Sequence, residues 1–206
     1  MIGRRHFPSR HAVSLRDPNP SRVFWCLPAT MVAIVLLSVP GTAAPKSAIT
    51  CAEVEDRLRQ AATSLGDLLP VPEFTDLAGM PDSRKITNLV SIDADLRCPG
   101  GAFASYEAAL TSGTVASIAR WLLWSQASLI STDRRISSDR ALLLVRRMQN
   151  EAVNEKNREE IRSGMQYGCV RLKSGLFEFE YSVQPGQVRV AYRPAEDMVE
   201  SCKLLR

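Results

Sequence analysis

Three carboxylates are the first side chains in this sequence whose types and spacing could do chemistry. Asp93 and Asp95 alternate with apolar residues in SIDADLRC, so on a strand they point to one side. A return strand through Glu107 would place that residue opposite Asp93. Like charges facing each other across strands repel. A bound calcium ion, which takes hard oxygen ligands, would relieve that repulsion. So would a proton, and a carboxylate pair with one raised pKa could act as acid and base in glycoside cleavage. The plainer reading is a solvated strand face on which Lys85 or Arg97 neutralises the acids.

Two further groups could bind rather than react. Trp121 and Trp124 are three residues apart and share a helix face, an arrangement that could offer an aromatic platform to a sugar, a lipid or a partner chain. The alternative is that they are core. Arg171, Glu178 and Arg193 would line up across three strands, leaving one arginine to hold a carboxylate ligand. Otherwise they form a surface ion-pair ladder. Serines are plentiful, but neither G-x-S-x-G nor S-x-x-K occurs.

The N-terminus decides which chemistry remains. Residues 1–43 read as a secretory signal. Arg4, Arg5, Arg10, Arg16 and Arg22 form a basic leader, residues 23–39 are uncharged, and Pro40-Gly41-Thr42-Ala43-Ala44 supplies a break and small residues. Cleavage is expected after Ala43, because a cut after Ala44 would leave Pro45 next to the scissile bond. The competing reading is an uncleaved anchor helix over 23–39. Arg4-Arg5-His6-Phe7 leaves twin-arginine export open beside the general route.

Both histidines, His6 and His11, fall inside the signal. The exported part then has no imidazole, which excludes Ser-His-Asp and Cys-His catalysis and histidine-ligated metals. The signal also holds five arginines against one acid, Asp17, so residues 44–206 carry 21 basic and 21 acidic residues. A net charge of zero gives no sustained field for nucleic acid or anionic lipid. Cys26 leaves too, and the remaining Cys51, Cys98, Cys169 and Cys202 are an even set without a CxxC. In an exported chain they read as two disulfides. Three pairings are possible, and the expected one joins sequence neighbours, Cys51–Cys98 and Cys169–Cys202.

The elements that position these residues follow from periodicity and punctuation. Thr50-Cys51-Ala52-Glu53 is a capping box, and Val54, Leu58, Ala61 and Leu65 continue a helix. Residues 69–82 read as a proline- and glycine-rich connection. Residues 85–98 alternate as one half-buried strand, which returns through 102–110 after a three-residue turn at Pro99–Gly101. That register pairs Val90 with Leu110, Ile92 with Ala108 and Ala94 with Tyr106. Helix is the competing reading for 103–110. Val115–Ile130 is a helix apolar nearly all round, hence buried. Ser137–Ser163 is a longer helix stopped by Gly164. A meander follows, with turns at Ser174-Gly175 and Pro185-Gly186 that pair Leu172 with Phe177 and Val183 with Val188.

The expected order is α-ββ-α-α-βββ, an α+β domain over 44–206 whose antiparallel sheet is covered by helices. Its expected role is a non-catalytic binding or interaction module of the periplasm, envelope or secreted space, with a protein or small ligand as partner. No cofactor motif, nucleic-acid partner or stable membrane insertion is read. The alternatives are a carboxylate hydrolase using Asp93, Asp95 and Glu107, or a calcium-stabilised module. Intact-mass measurement of the exported chain should place its first residue at Ala44. A chain retaining residues 23–39 would favour the anchor reading instead.

Overall fold

A computed structural model describes residues 49–195 and 202–205. The signal expectations for residues 1–43 therefore lie outside the described residues. Thr50 opens α1 (Cys51–Ser64), its hydroxyl accepting from Glu53 N–H at 3.2 Å. Thr114 and Ser137 cap α2 (Val115–Thr132) and α3 (Ser138–Ser163) in the same way. Gly164, at φ +73°, ends α3 in the left-handed conformation. The strands are β1 (Phe74–Leu77), β2 (Met80–Ile86), β3 (Ile92–Arg97), β4 (Ser105–Leu110), β5 (Gly168–Ser174), β6 (Phe177–Gln184), β7 (Gln187–Pro194) and β8 (Lys203–Leu204). They form one eight-stranded sheet in the order β1-β2-β3-β4-β7-β6-β5-β8.

The α+β class stands, but the sheet is mixed, because β8 runs parallel to β5 at one edge. The element order also differs. The connection over 69–82 is largely a hairpin, β1–β2, turning at Ala78-Gly79 with Gly79 at φ +78°. Its proline signal misleads because Pro81 lies where β2 overhangs β3, whose pairing starts at Ser83. There a missing N–H is harmless. The expected single strand over 85–98 is two strands, β2 and β3, joined by a turn through Ser91 at φ +66°. Ile86 and Ile92 both face inward across this break, so the alternation hides it, and Val90, 63% exposed, and Leu89, buried on the opposite parity, give it away.

Two registers shift by two residues. β3–β4 pairs Ile92 with Leu110, Ala94 with Ala108 and Leu96 with Tyr106. The connection is longer than three residues because it holds a one-turn helix, the Cys51–Cys98 disulfide and a bridge from Thr50 to Ala102. β5–β6 pairs Leu172 with Phe179, since Gly175-Leu176 rather than Ser174-Gly175 makes the turn. A slip of two preserves which side chains face inward, so hydrophobic pattern alone cannot detect it. Val183 pairs with Val188 as expected. Both expected disulfides are formed, Cys51–Cys98 and Cys169–Cys202, each with S–S of 2.03 Å.

All three helices cover one face of the sheet, with α2 between α1 and α3. From that face rise Tyr106, Tyr181 and Tyr192, each at most 1% exposed. Burying a hydroxyl without a partner is costly, and α2 supplies the partners. Trp121, Trp124, Ser128 and Ser131 recur at helical spacing on its underside. Trp121 Nε1 donates to Tyr181 Oη at 3.2 Å. Trp124 Nε1 donates to Tyr106 Oη at 2.5 Å, that hydroxyl meets Ser128 Oγ at 3.1 Å, and Ser128 Oγ donates back to the Trp124 carbonyl at 2.8 Å. Ser131 Oγ lies 3.3 Å from Tyr192 Oη. Burial pushes all three phenols up, Tyr181 to about 12. Where α3 crosses β5 the backbones nearly touch: a Cβ on Gly168 would lie 2.0 Å from the Ala152 carbonyl oxygen. Among the described residues, no helix is long and apolar enough to cross a membrane.

Tyr106→Phe should orphan the Trp124 N–H and cost about 1–3 kcal/mol, read as a lower urea midpoint. Tyr167→Phe, at a 38% exposed position where the hydroxyl meets Ser182 and Arg189, should cost less, under about 1 kcal/mol.

Candidate functional site

The three carboxylates share one sheet face but pair differently from the sequence expectation. All lie on the sheet face away from the helices, but the shifted register sets Glu107 against Asp95, not Asp93. Asp93 is held by Lys85 at 2.8 Å, and Glu107 by Arg189 at 3.2 Å. Among the described residues, no group of three His, Cys, Asp or Glu side chains is placed to hold a metal. Asp95 keeps a raised pKa, first because it is partly buried and then because Glu107 faces it.

The arginine ladder is also rearranged. Arg171 pairs with Glu178 at 3.2 Å, as the sequence implied. Lys173 takes the position opposite Glu178 on β5, and Arg193 stands opposite Glu178 on β7 as expected, but Arg193 and Arg189 both bind Glu180, at 3.4 and 3.2 Å. Arg193 is therefore engaged and not spare for a ligand. Of the two readings of Trp121 and Trp124, the core holds and the aromatic platform does not form. The indoles are 2% and 0% exposed, and their N–H groups are spent on the sheet tyrosines. Trp121 reaches only the bottom of a cleft of about 350 Å³ walled by Gln149, Gln184, Gln187 and aliphatic side chains.

A different place gathers uncommitted charge. A groove of about 620 Å³ runs between the first half of α3 and the β5–β6 turn. Ile136, Leu144, Leu172 and Leu205 give it an apolar floor, and Arg135, Arg140, Arg147 and Lys173 stand around it. The Ser137 cap starts α3 so that Arg140 and Arg147 fall seven residues apart, two turns or about 10 Å along one wall. Lys173 borders the groove from β5, with its side chain on the Glu178 side of the sheet, away from the helices. The β5–β6 turn is held against the end of α2, with Ser174 Oγ 2.6 Å from Thr132 Oγ1.

One acid enters the groove, and it is already taken. Asp133 accepts from the backbone N–H, Nε and Nη2 of Arg135 at 3.0, 2.9 and 2.8 Å. That grip holds the Asp133 carboxyl below its ordinary range. Among the described residues, Arg140 and Arg147 make no ion pair, and neither do Arg97, Arg120, Arg134, Arg146, Lys156 and Lys173, whereas Arg57, Arg59, Arg84, Lys85, Arg158, Arg162, Arg171, Arg189, Arg193 and Lys203 all do. The spacing, mixed apolar and cationic lining and volume suit a small organic or inorganic anion.

Whole-chain charge counting missed this site. Residues 132–149 hold five arginines, at 134, 135, 140, 146 and 147, against Asp133 and Asp139. Acids spread over the rest of residues 44–206 offset them in the total, so a neutral sum conceals a basic stretch. The doublets Arg134-Arg135 and Arg146-Arg147 were the available signal. No protein-family model, curated protein or solved structure matches the chain.

The native state holds the Asp95 proton more tightly than the unfolded chain does. Its contribution to stability is thus full in acid and is lost as pH rises through the raised pKa. Asp95→Asn should raise the melting midpoint at pH 7, and the gain should vanish below about pH 4. Calcium and chelator should give the same midpoint. A calcium-dependent rise abolished by the substitution would restore the metal reading.

Proposed function

We propose that this protein is an exported, non-catalytic binding module of the periplasm, envelope or secreted space, and that it recognises an acidic ligand in the groove lined by Arg140 and Arg147. The export reading rests on the N-terminal signal pattern and accords with two disulfides, which persist in oxidising compartments. Residues 44–206 contain no histidine, and Asp93 and Glu107 are engaged as ion pairs by Lys85 and Arg189.

One observation carries the binding reading. Two arginines line one groove over an apolar floor without ion pairs, in a fold whose other basic side chains are mostly paired. Arginine can grip a carboxylate or phosphate with two parallel N–H bonds. The floor of Ile136, Leu144, Leu172 and Leu205 favours ligands with an apolar portion between or beside the acidic groups. Nucleic acid is not the expected partner, since the basic patch is short and the rest of residues 44–206 offsets it.

Inorganic tripolyphosphate is a suitable probe. Titration calorimetry on the disulfide-bonded protein should detect binding that weakens with salt. The double substitution R140E/R147E should weaken it by about tenfold or more. R158E, farther along α3, should change it by less than about twofold. Equal affinity in both variants, or no binding by the parent protein, would remove the groove as the recognition site.

A further inference from the structure

One wall of the groove depends on a strand too short to hold itself. β8 has two residues and meets β5 only through Val170–Lys203 and Arg171–Leu204. Leu205 N–H then donates to the Arg171 carbonyl at 2.8 Å, and the Leu205 side chain, 7% exposed, enters the core and the groove floor. Lys203 adds ion pairs to Glu151 at 2.9 Å and Glu155 at 3.0 Å. Such exposed pairs contribute little, and an isolated short strand pairing is marginal in water. The strong tether is covalent: Cys202, immediately before β8, is bonded to Cys169 on β5.

The tether borders the surface: a cavity of about 280 Å³ beside it is lined by Tyr167, Gly168, Lys203 and Cys169. Cys169 and Cys202 are themselves 5% and 6% exposed, so thiol–disulfide exchange, which requires a thiolate to reach a sulfur, needs the short β8 pairing to loosen first.

We propose that the Cys169–Cys202 disulfide is a redox clasp on the groove, holding Leu205 in its floor and thereby setting its affinity for anions. The inference rests on the groove being the recognition site. Opening the clasp is a two-electron step. A dithiol's thiolate attacks one sulfur, the S–S bond breaks to a mixed disulfide, and the second dithiol sulfur displaces the other. Cys169 and Cys202 leave as two thiols carrying two protons, and the reductant leaves as its own disulfide. β8 then detaches, Leu205 withdraws, and the groove loses part of its floor while Arg140 and Arg147 remain on α3. An oxidising compartment keeps the site assembled, and a reducing one weakens it.

The test measures tripolyphosphate affinity by calorimetry on the full disulfide-bonded protein, on C169S/C202S, and on Leu205→Ser with both disulfides intact. Near-UV circular dichroism monitors the core tryptophans and tyrosines in each. Both variants should keep the parent spectrum and lose affinity by about tenfold. Unchanged affinity in a folded variant of either kind overturns the clasp. If C169S/C202S fails to fold, Leu205→Ser decides alone. Absence of binding by the parent protein overturns the groove reading and the clasp with it, whereas parent binding that survives loss of the disulfide overturns the clasp only.

Discussion

The fold turns on one requirement: three tyrosine hydroxyls buried under a helix must each find a hydrogen-bond partner. Tyr106, Tyr181 and Tyr192 stand on adjacent strands β4, β6 and β7 and point the same way. Only a helix with polar hydrogens at matching intervals can lie over them. α2 meets the requirement with two indoles and two serines, and the closed ring of Trp124, Tyr106 and Ser128 leaves no spare donor there. This seam fixes how far α2 slides along the sheet and how it is rotated. α1 and α3 then take their places on either side of α2, and α3 brings Arg140 and Arg147 to the β5–β6 turn. A polar contact under the helix thus sets the geometry of a charged groove at the surface.

Much of this architecture was legible because local signals agreed. Thr50, Ser137 and Gly164 mark helix ends through hydrogen bonds and backbone conformation that few residues supply. The near-absence of charge in Val115–Ile130 announced burial, and neighbour pairing of the cysteines was right. What escaped was information that parity does not carry. Two-residue slips at β3–β4 and β5–β6, and a turn inserted between Ile86 and Ile92, all preserve the inward set. β8 escaped because two residues have no periodicity, and its place depends on a bond formed 33 residues away in sequence.

The candidate site was less legible for a related reason. Charges act through their positions, and composition records only their sum. On the open sheet face the acids and bases are interleaved, so Lys85, Arg189, Arg193 and Arg171 each meet a carboxylate. Around the groove they are segregated, and their desolvated neighbours Leu172, Ile136 and Leu205 lower the local dielectric enough to strengthen any pairing with a ligand. Two faces of one neutral domain therefore present different electrostatics to solvent.

The sheet's two borders have a consequence for life at high concentration. An open sheet ends in rows of unsatisfied amides that invite a second chain to add strands. Here one border is β1, four residues long with a register break between Asp76 and Leu77. The other is β8, two residues long and carrying Lys203. Neither offers a long, flat, apolar template. Stacking of copies edge to edge into ribbons or fibrils has little to nucleate on, so the molecule can stay dispersed while exposing an eight-stranded sheet.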